Sequence, residues 1–157
     1  PSPGAHDGDS GNGDGELSFE DFKRGEGLAL HNDYQEVVQA LKNCKSRLKT
    51  TVGLVNEQVA AIDAKTAEND ACAAAVAAIE EGSSSPSAAT DARLGLTLVK
   101  RELELAKRAY RDAFQELGLC KRQLAETQSL KQRALDILVK AYETRALGRE
   151  TEMAMGP

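Results

Sequence analysis

An all-α fold of two long helices in coiled-coil contact is predicted by three observations. These are a leucine and alanine heptad rhythm between Leu96 and Leu138, a second rhythm from Tyr34 to Ile62, and a composition poor in bulky side chains. In the later rhythm Leu96, Leu103, Tyr110, Leu117, Leu124 and Leu138 fall seven apart, or fourteen across Lys131. Val99, Ala106, Ala113, Cys120, Thr127, Ala134 and Ala141 supply its second row. The earlier rhythm places Tyr34, Leu41, Leu48, Val55 and Ile62 in one row and Val38, Lys45, Val52 and Val59 in the other. Tryptophan is absent, aromatics are 4% and charged residues 29%, which suits a thin core drawn out along helices.

Six segments follow in order. Residues 1–16 form an acidic, Gly-rich leader with too little apolar surface to order itself. A short amphipathic stretch occupies 17–30 and is broken by Gly25 and Gly27. The first coiled-coil helix spans 31–81, opening near Asn32 or Asp33 with Glu36 placed as a capping box requires. Residues 82–90, GSSSPSAAT, are a linker, because Pro86 and the serines oppose a continuous helix. The second helix spans 91–148, with Thr90 or Asp91 as its N-cap, and 149–157 are a disordered tail. Nearly equal helix lengths across a short linker favour an antiparallel hairpin. Rows of β-branched residues and leucine also suit a parallel dimer, so self-association within one chain or between two is expected.

Charge is unevenly placed. Residues 1–81 carry 7 Lys+Arg against 15 Asp+Glu, whereas 91–150 carry 13 against 9. Opposite signs favour the two halves lying side by side. The basic second helix is expected to offer Arg101, Arg108, Arg111 and Arg122 to an acidic partner surface. A net charge of −5 without interleaved aromatics argues against nucleic acid. The runs are too charged to cross a membrane, and the chain shows no signal sequence, which makes cytoplasm the default expectation. Cys44, Cys72 and Cys120 are odd in number and too widely spaced for a metal site, so they read as reduced seam or surface residues.

Catalysis finds no constellation. His6 and His31 lack a nucleophile at recognisable spacing, no GxxxxGK[ST] string occurs, and Glu102 and Glu104 face different sides of a helix. No cofactor is expected, and no metal is assigned. One stretch, Ser10 to Asp21, imitates an EF-hand loop, with Gly15 at the invariant glycine and Asn12, Asp14 and Ser18 at ligand positions. Ser10 stands where Asp is expected, and Asp21 is too short for the bidentate Glu. A calcium-responsive regulator is therefore the alternative reading, and a generic coiled-coil scaffold the other.

LSFEDFKR from Leu17 to Arg24, KNCKSRLK from Lys42 to Lys49, and the run from Val99 to Glu143 with Tyr110, Phe114, Leu117 and Lys121 stand in a suggestive order. That order resembles the C-terminal, non-motor region of the kinesin-9 family, microtubule motors associated with cilia and flagella. It covers about Leu17 to Glu143, and ends on Ala141, Tyr142 and Glu143 where the family is expected to carry Phe-Glu and Trp. The resemblance implies a stalk or tail segment at the cytoskeleton, in the axoneme of a cilium or flagellum. It would self-associate and dock to tubulin or axonemal proteins, with ATP hydrolysis left to the parent motor domain.

Overall fold

The computed structural model describes residues 16–82 and 85–155. Among them the chain forms three helices and no strand: α1 Phe19–Arg24, α2 Leu28–Glu81 and α3 Pro86–Met155. Residues 1–15, which hold all but the last residue of the sequence-expected leader and the first half of the EF-hand-like loop, lie outside the described residues, as do 156–157.

Ser18 opens α1 as an extended N-cap whose Oγ accepts the Asp21 amide at 3.0 Å. Glu20 and Asp21 then occupy its first turn and Lys23 and Arg24 its last, the arrangement that suits a helix dipole. Gly25 closes it by donating to the carbonyls of Asp21 and Phe22. The chain re-enters helix almost at once. The Gly27 amide donates to the Phe22 carbonyl at 2.8 Å, and a Cβ on Gly27 would lie 2.3 Å from the Phe22 ring. Glycine is needed here for close approach. As a result α2 begins at Leu28 instead of near Asn32 or Asp33, because this glycine turn does the work assigned to the capping box.

At the other boundary Ser85 serves as N-cap, its Oγ accepting the Ala88 amide at 3.2 Å, and Pro86 sits at the first helical position. Proline is tolerated there because the first turn leaves its amides unpaired anyway. The expected start at Thr90 or Asp91 is thus corrected to Pro86, and Thr90 instead donates to the Pro86 carbonyl. The expected end near Gly148 is likewise corrected, since α3 continues to Met155, with Arg145 bridging to Glu152 on the way.

The two long helices run antiparallel and form a hairpin. Cys44 pairs with Thr127, Thr51 with Cys120, Lys65 with Glu102 and Glu80 with Arg93, so rising numbers on α2 meet falling numbers on α3. Contacts divide the hairpin into two compact units. One combines residues through Cys44 with those from Leu124 on, and the other is Lys45–Gln123.

In the Lys45–Gln123 unit the buried apolar side chains are Val99, Leu103, Ala113 and Cys120, joined by Thr51. In the unit of the chain ends they are Phe22, Leu41 and Leu138. No helix among the described residues is long and apolar enough to cross a membrane.

Candidate interaction surfaces of the hairpin

The seam residues expected from the heptads occupy inward positions. Leu41, Leu103 and Leu138 are buried, and Leu48, Val55, Ile62, Leu96, Tyr110, Leu117 and Leu124 are partly covered. The second row of α2 is corrected. Val52 and Val59 are 41% exposed and Lys45 is exposed, while Val38 is partly covered beside Val37, and Cys44, Thr51, Gln58, Lys65, Cys72 and Ile79 are the covered set beyond it, one residue earlier at each step. The inner row of α2 is therefore largely polar.

That polarity is accommodated by matched groups on α3. Cys44 Sγ lies 3.6 Å from Thr127 Oγ1, and Thr51 Oγ1 lies 3.6 Å from Cys120 Sγ, a thiol and a hydroxyl exchanging helices between the two layers. Cys120 also approaches Glu116 Oε2 at 3.6 Å. Burying polar groups without partners is costly, so a one-heptad slip would strand both pairs and is disfavoured. All three thiols are free. Lys65 reaches Glu68 at 3.2 Å and Glu102 at 3.4 Å, and these two carboxylates raise its pKa. Arg47 bridges Glu116 at 2.8 Å and Gln123 at 2.9 Å.

With the row of Leu103 labelled a, the arginines expected to meet a partner sit outside the seam. Arg101, Arg108 and Arg122 fall at f and Arg111 at b, and all four are exposed. None has a carboxylate partner among the described residues. Arg101, Arg108 and Arg111 line one shallow recess with Glu104 and Leu105. Lys100, Lys107 and Lys121 continue the positive side at position e, which lies next to b on the helix surface. Lys107 is engaged by Glu104 at 3.6 Å.

A different feature distinguishes the unit of the chain ends. The Tyr142 hydroxyl donates to the Leu17 carbonyl at 2.7 Å, and its ring meets Phe19 edge-on at 5.1 Å and Phe22 at 5.7 Å. Lys23 Nζ stands 4.8 Å from the Phe19 ring centre and 2.7 Å from Glu20, and that ammonium lowers the Glu20 pKa. Arg145 closes the arrangement with Glu26 at 2.9 Å, an ion pair that raises the Arg145 pKa. α1 is thus clasped to α3 across 125 residues of sequence.

Heptad reasoning does not reveal this clasp. Its signal was the placement of scarce aromatics, two of only three phenylalanines and one of three tyrosines standing near the chain ends. The clasp also employs Ser18 and Asp21 of the EF-hand-like stretch. Ser18 caps α1, and Asp21 lies 3.6 Å from Arg24. Among the described residues, no three His, Cys, Asp or Glu side chains gather in a way that would hold a metal ion. No protein-family model, curated protein or solved structure matches this chain.

Proposed function

We propose that this chain is a stalk or tail segment of a kinesin-like microtubule motor, working by association and not by catalysis. It joins to itself and docks through α3 onto an acidic axonemal or tubulin surface. The observation that carries this reading is the exposed, ion-pair-free set Arg101, Arg108, Arg111 and Arg122 on the outward side of α3. The planar guanidinium fork matches a carboxylate with two parallel hydrogen bonds, so less freedom is lost per bond formed than with a lysine ammonium. The order of sequence motifs that resembles the kinesin-9 tail supplies the cytoskeletal half of the proposal.

Microtubule co-pelleting at stepped ionic strength tests the proposal. Binding is expected to weaken as salt rises, because exposed charges are screened over about 10 Å at 0.1 M. The quadruple variant with Arg101, Arg108, Arg111 and Arg122 changed to Ala is expected to lose it while keeping its helicity. Absence of binding, or binding indifferent to salt, overturns the reading.

A further inference from the structure

Among the described residues Phe114 is the most exposed aromatic, at 56%, and its ring stacks on Tyr110 with centres 5.9 Å apart, which fixes its direction. It stands at position e of α3. With the row of Leu48 labelled a on α2, the ion pair of Glu80 with Arg93 joins e to e, and that of Arg47 with Glu116 joins g to g on the opposite side. Carrying the first pairing along the register by three and four heptads sets Val59 across from Phe114 and Val52 across from Lys121. Both valines are 41% exposed. The e side of the Lys45–Gln123 unit is therefore a trough floored by Val52, Val59 and Phe114, and large apolar side chains gathered in that way mark an interaction surface.

The charge around the trough is of one sign, position by position. Over 45–59 of α2 and 107–121 of α3, the e and b positions carry Lys45, Lys49, Lys107, Arg111 and Lys121, and no carboxylate. The carboxylates of those stretches, Glu57, Asp112 and Glu116, fall at c and g on the other side. Lys107 is met by Glu104 at 3.6 Å, and the other four cations have no carboxylate partner among the described residues.

We infer that this trough is the docking site for an acidic amphipathic helix of a partner protein. The apolar stripe of that helix lies on Val52, Val59 and Phe114, and its carboxylates lie between the flanking cations. The inference goes beyond the docking reading above, which concerns the f row of α3, and the two share only Arg111. Val52 and Val59 are two helical turns apart, about 10.5 Å, which is the spacing of i and i+7 on an incoming helix. An extended peptide would find no strand edge to receive its amides. Position b, with Lys49 and Arg111, forms the banks of the trough. A rod fills such a shape, whereas a flat anionic bilayer would rest on the banks and leave the valines uncovered. The lysine stems cover apolar surface while their ammonium groups stay in water at the rim.

A second copy of this chain is a poor occupant. Its own e/b side would oppose cations to cations. Its c/g side has few carboxylates to offer, because Arg47 already takes Glu116 and Lys65 takes Glu68 and Glu102.

The test uses two labelled helical peptides of three heptads, titrated with the full chain and followed by fluorescence anisotropy. Both carry Leu at a and d, one carries Glu at e and g, and the other carries Lys there. The Glu peptide is expected to bind, less tightly as salt rises, and the Lys peptide to stay free. Phe114→Ala is expected to weaken the Glu peptide by at least ~10-fold, through loss of the buried aromatic anchor. A Cβ at Gly118 meets nothing within 4 Å, and this residue lies one turn on from Phe114. Gly118→Glu therefore keeps the hairpin intact and is expected to weaken the Glu peptide as well, which separates lost docking from lost folding. A photo-crosslinking residue in the peptide is expected to label α2 between Val52 and Val59. Equal binding of the two peptides, binding indifferent to Phe114→Ala and Gly118→Glu, or labelling away from this side overturns the inference. Co-sedimentation with phosphatidylserine vesicles in place of peptide binding overturns it too, as does self-association that the Glu peptide fails to displace.

Discussion

Leu138 is the side chain on which the hairpin's packing is tested most directly, because it is only 1% exposed while its helix neighbour Leu147 is 63% exposed. Both are leucines of α3 in the same compact unit, so replacing each by Ala removes the same atoms from opposite environments. Full burial of a leucine contributes about 1.5–3 kcal/mol, and the unfilled space left behind adds to that. α3 cannot slide to close the gap without separating Thr127 from Cys44, so relaxation is limited and a total of about 2–5 kcal/mol is expected for Leu138→Ala. Leu147→Ala is expected to fall within about 0.5 kcal/mol of the parent. For a chain of this size the first change lowers the thermal midpoint by roughly 4–20 °C. Far-ultraviolet circular dichroism followed through urea and heat at fixed protein concentration reads both. Equal losses from the two substitutions, or a Leu138→Ala loss below about 0.5 kcal/mol, would refute the assignment of Leu138 to the core.

Three further outcomes follow from the clasp and its turn. Gly27→Ala drives a methyl group into the Phe22 ring, and overpacking of that kind costs about 1–3 kcal/mol. Amide exchange is expected to speed up through α1 and around Tyr142, and unchanged protection at both would contradict the close approach. Tyr142→Phe removes the hydroxyl that serves the Leu17 carbonyl and is expected to cost about 0.5–1.5 kcal/mol while the ring contacts persist. A chemical denaturation curve identical to that of the parent would show that this bond contributes nothing. The Glu20 carboxyl is expected to titrate below the usual glutamate range because of Lys23, and Lys23→Ala should return it upward. A depressed folded-state pKa makes the stabilisation complete above the unfolded value, and it is lost as pH falls through the folded one. Carbon-detected NMR titration of Glu20 measures this, and a midpoint insensitive to Lys23→Ala would dismiss the pair.

How far the sequence carries depends on the helix. α3 was legible because its seam is written in large and small apolar residues at strict spacing, so Leu96, Leu103 and Leu138 could be placed without knowing the partner. α2 was legible in one row only. Its second row contains Thr51, Gln58 and Lys65, and a reading that ranks residues by hydrophobicity prefers the valines one position later. Thr51 and Lys65 are admitted there because Cys120 and Glu102 come within reach of them, which is a property of the docked pair. The basic residues Arg101, Arg108, Arg111 and Arg122 were legible as outward because surface charge at f and b follows from the α3 register alone.

By itself, then, the sequence determined an all-α chain of two long amphipathic helices, the seam face of α3, and the unequal charge of the two halves. Only the tertiary structure decided that the hairpin is antiparallel and that α1 is clasped by Tyr142. The physical reason is distance along the chain. Periodicity and capping act within a few residues and are visible in the sequence, whereas register and the clasp depend on pairs such as Thr51 with Cys120 and Leu17 with Tyr142. Those pairs acquire their energy only after the helices have met.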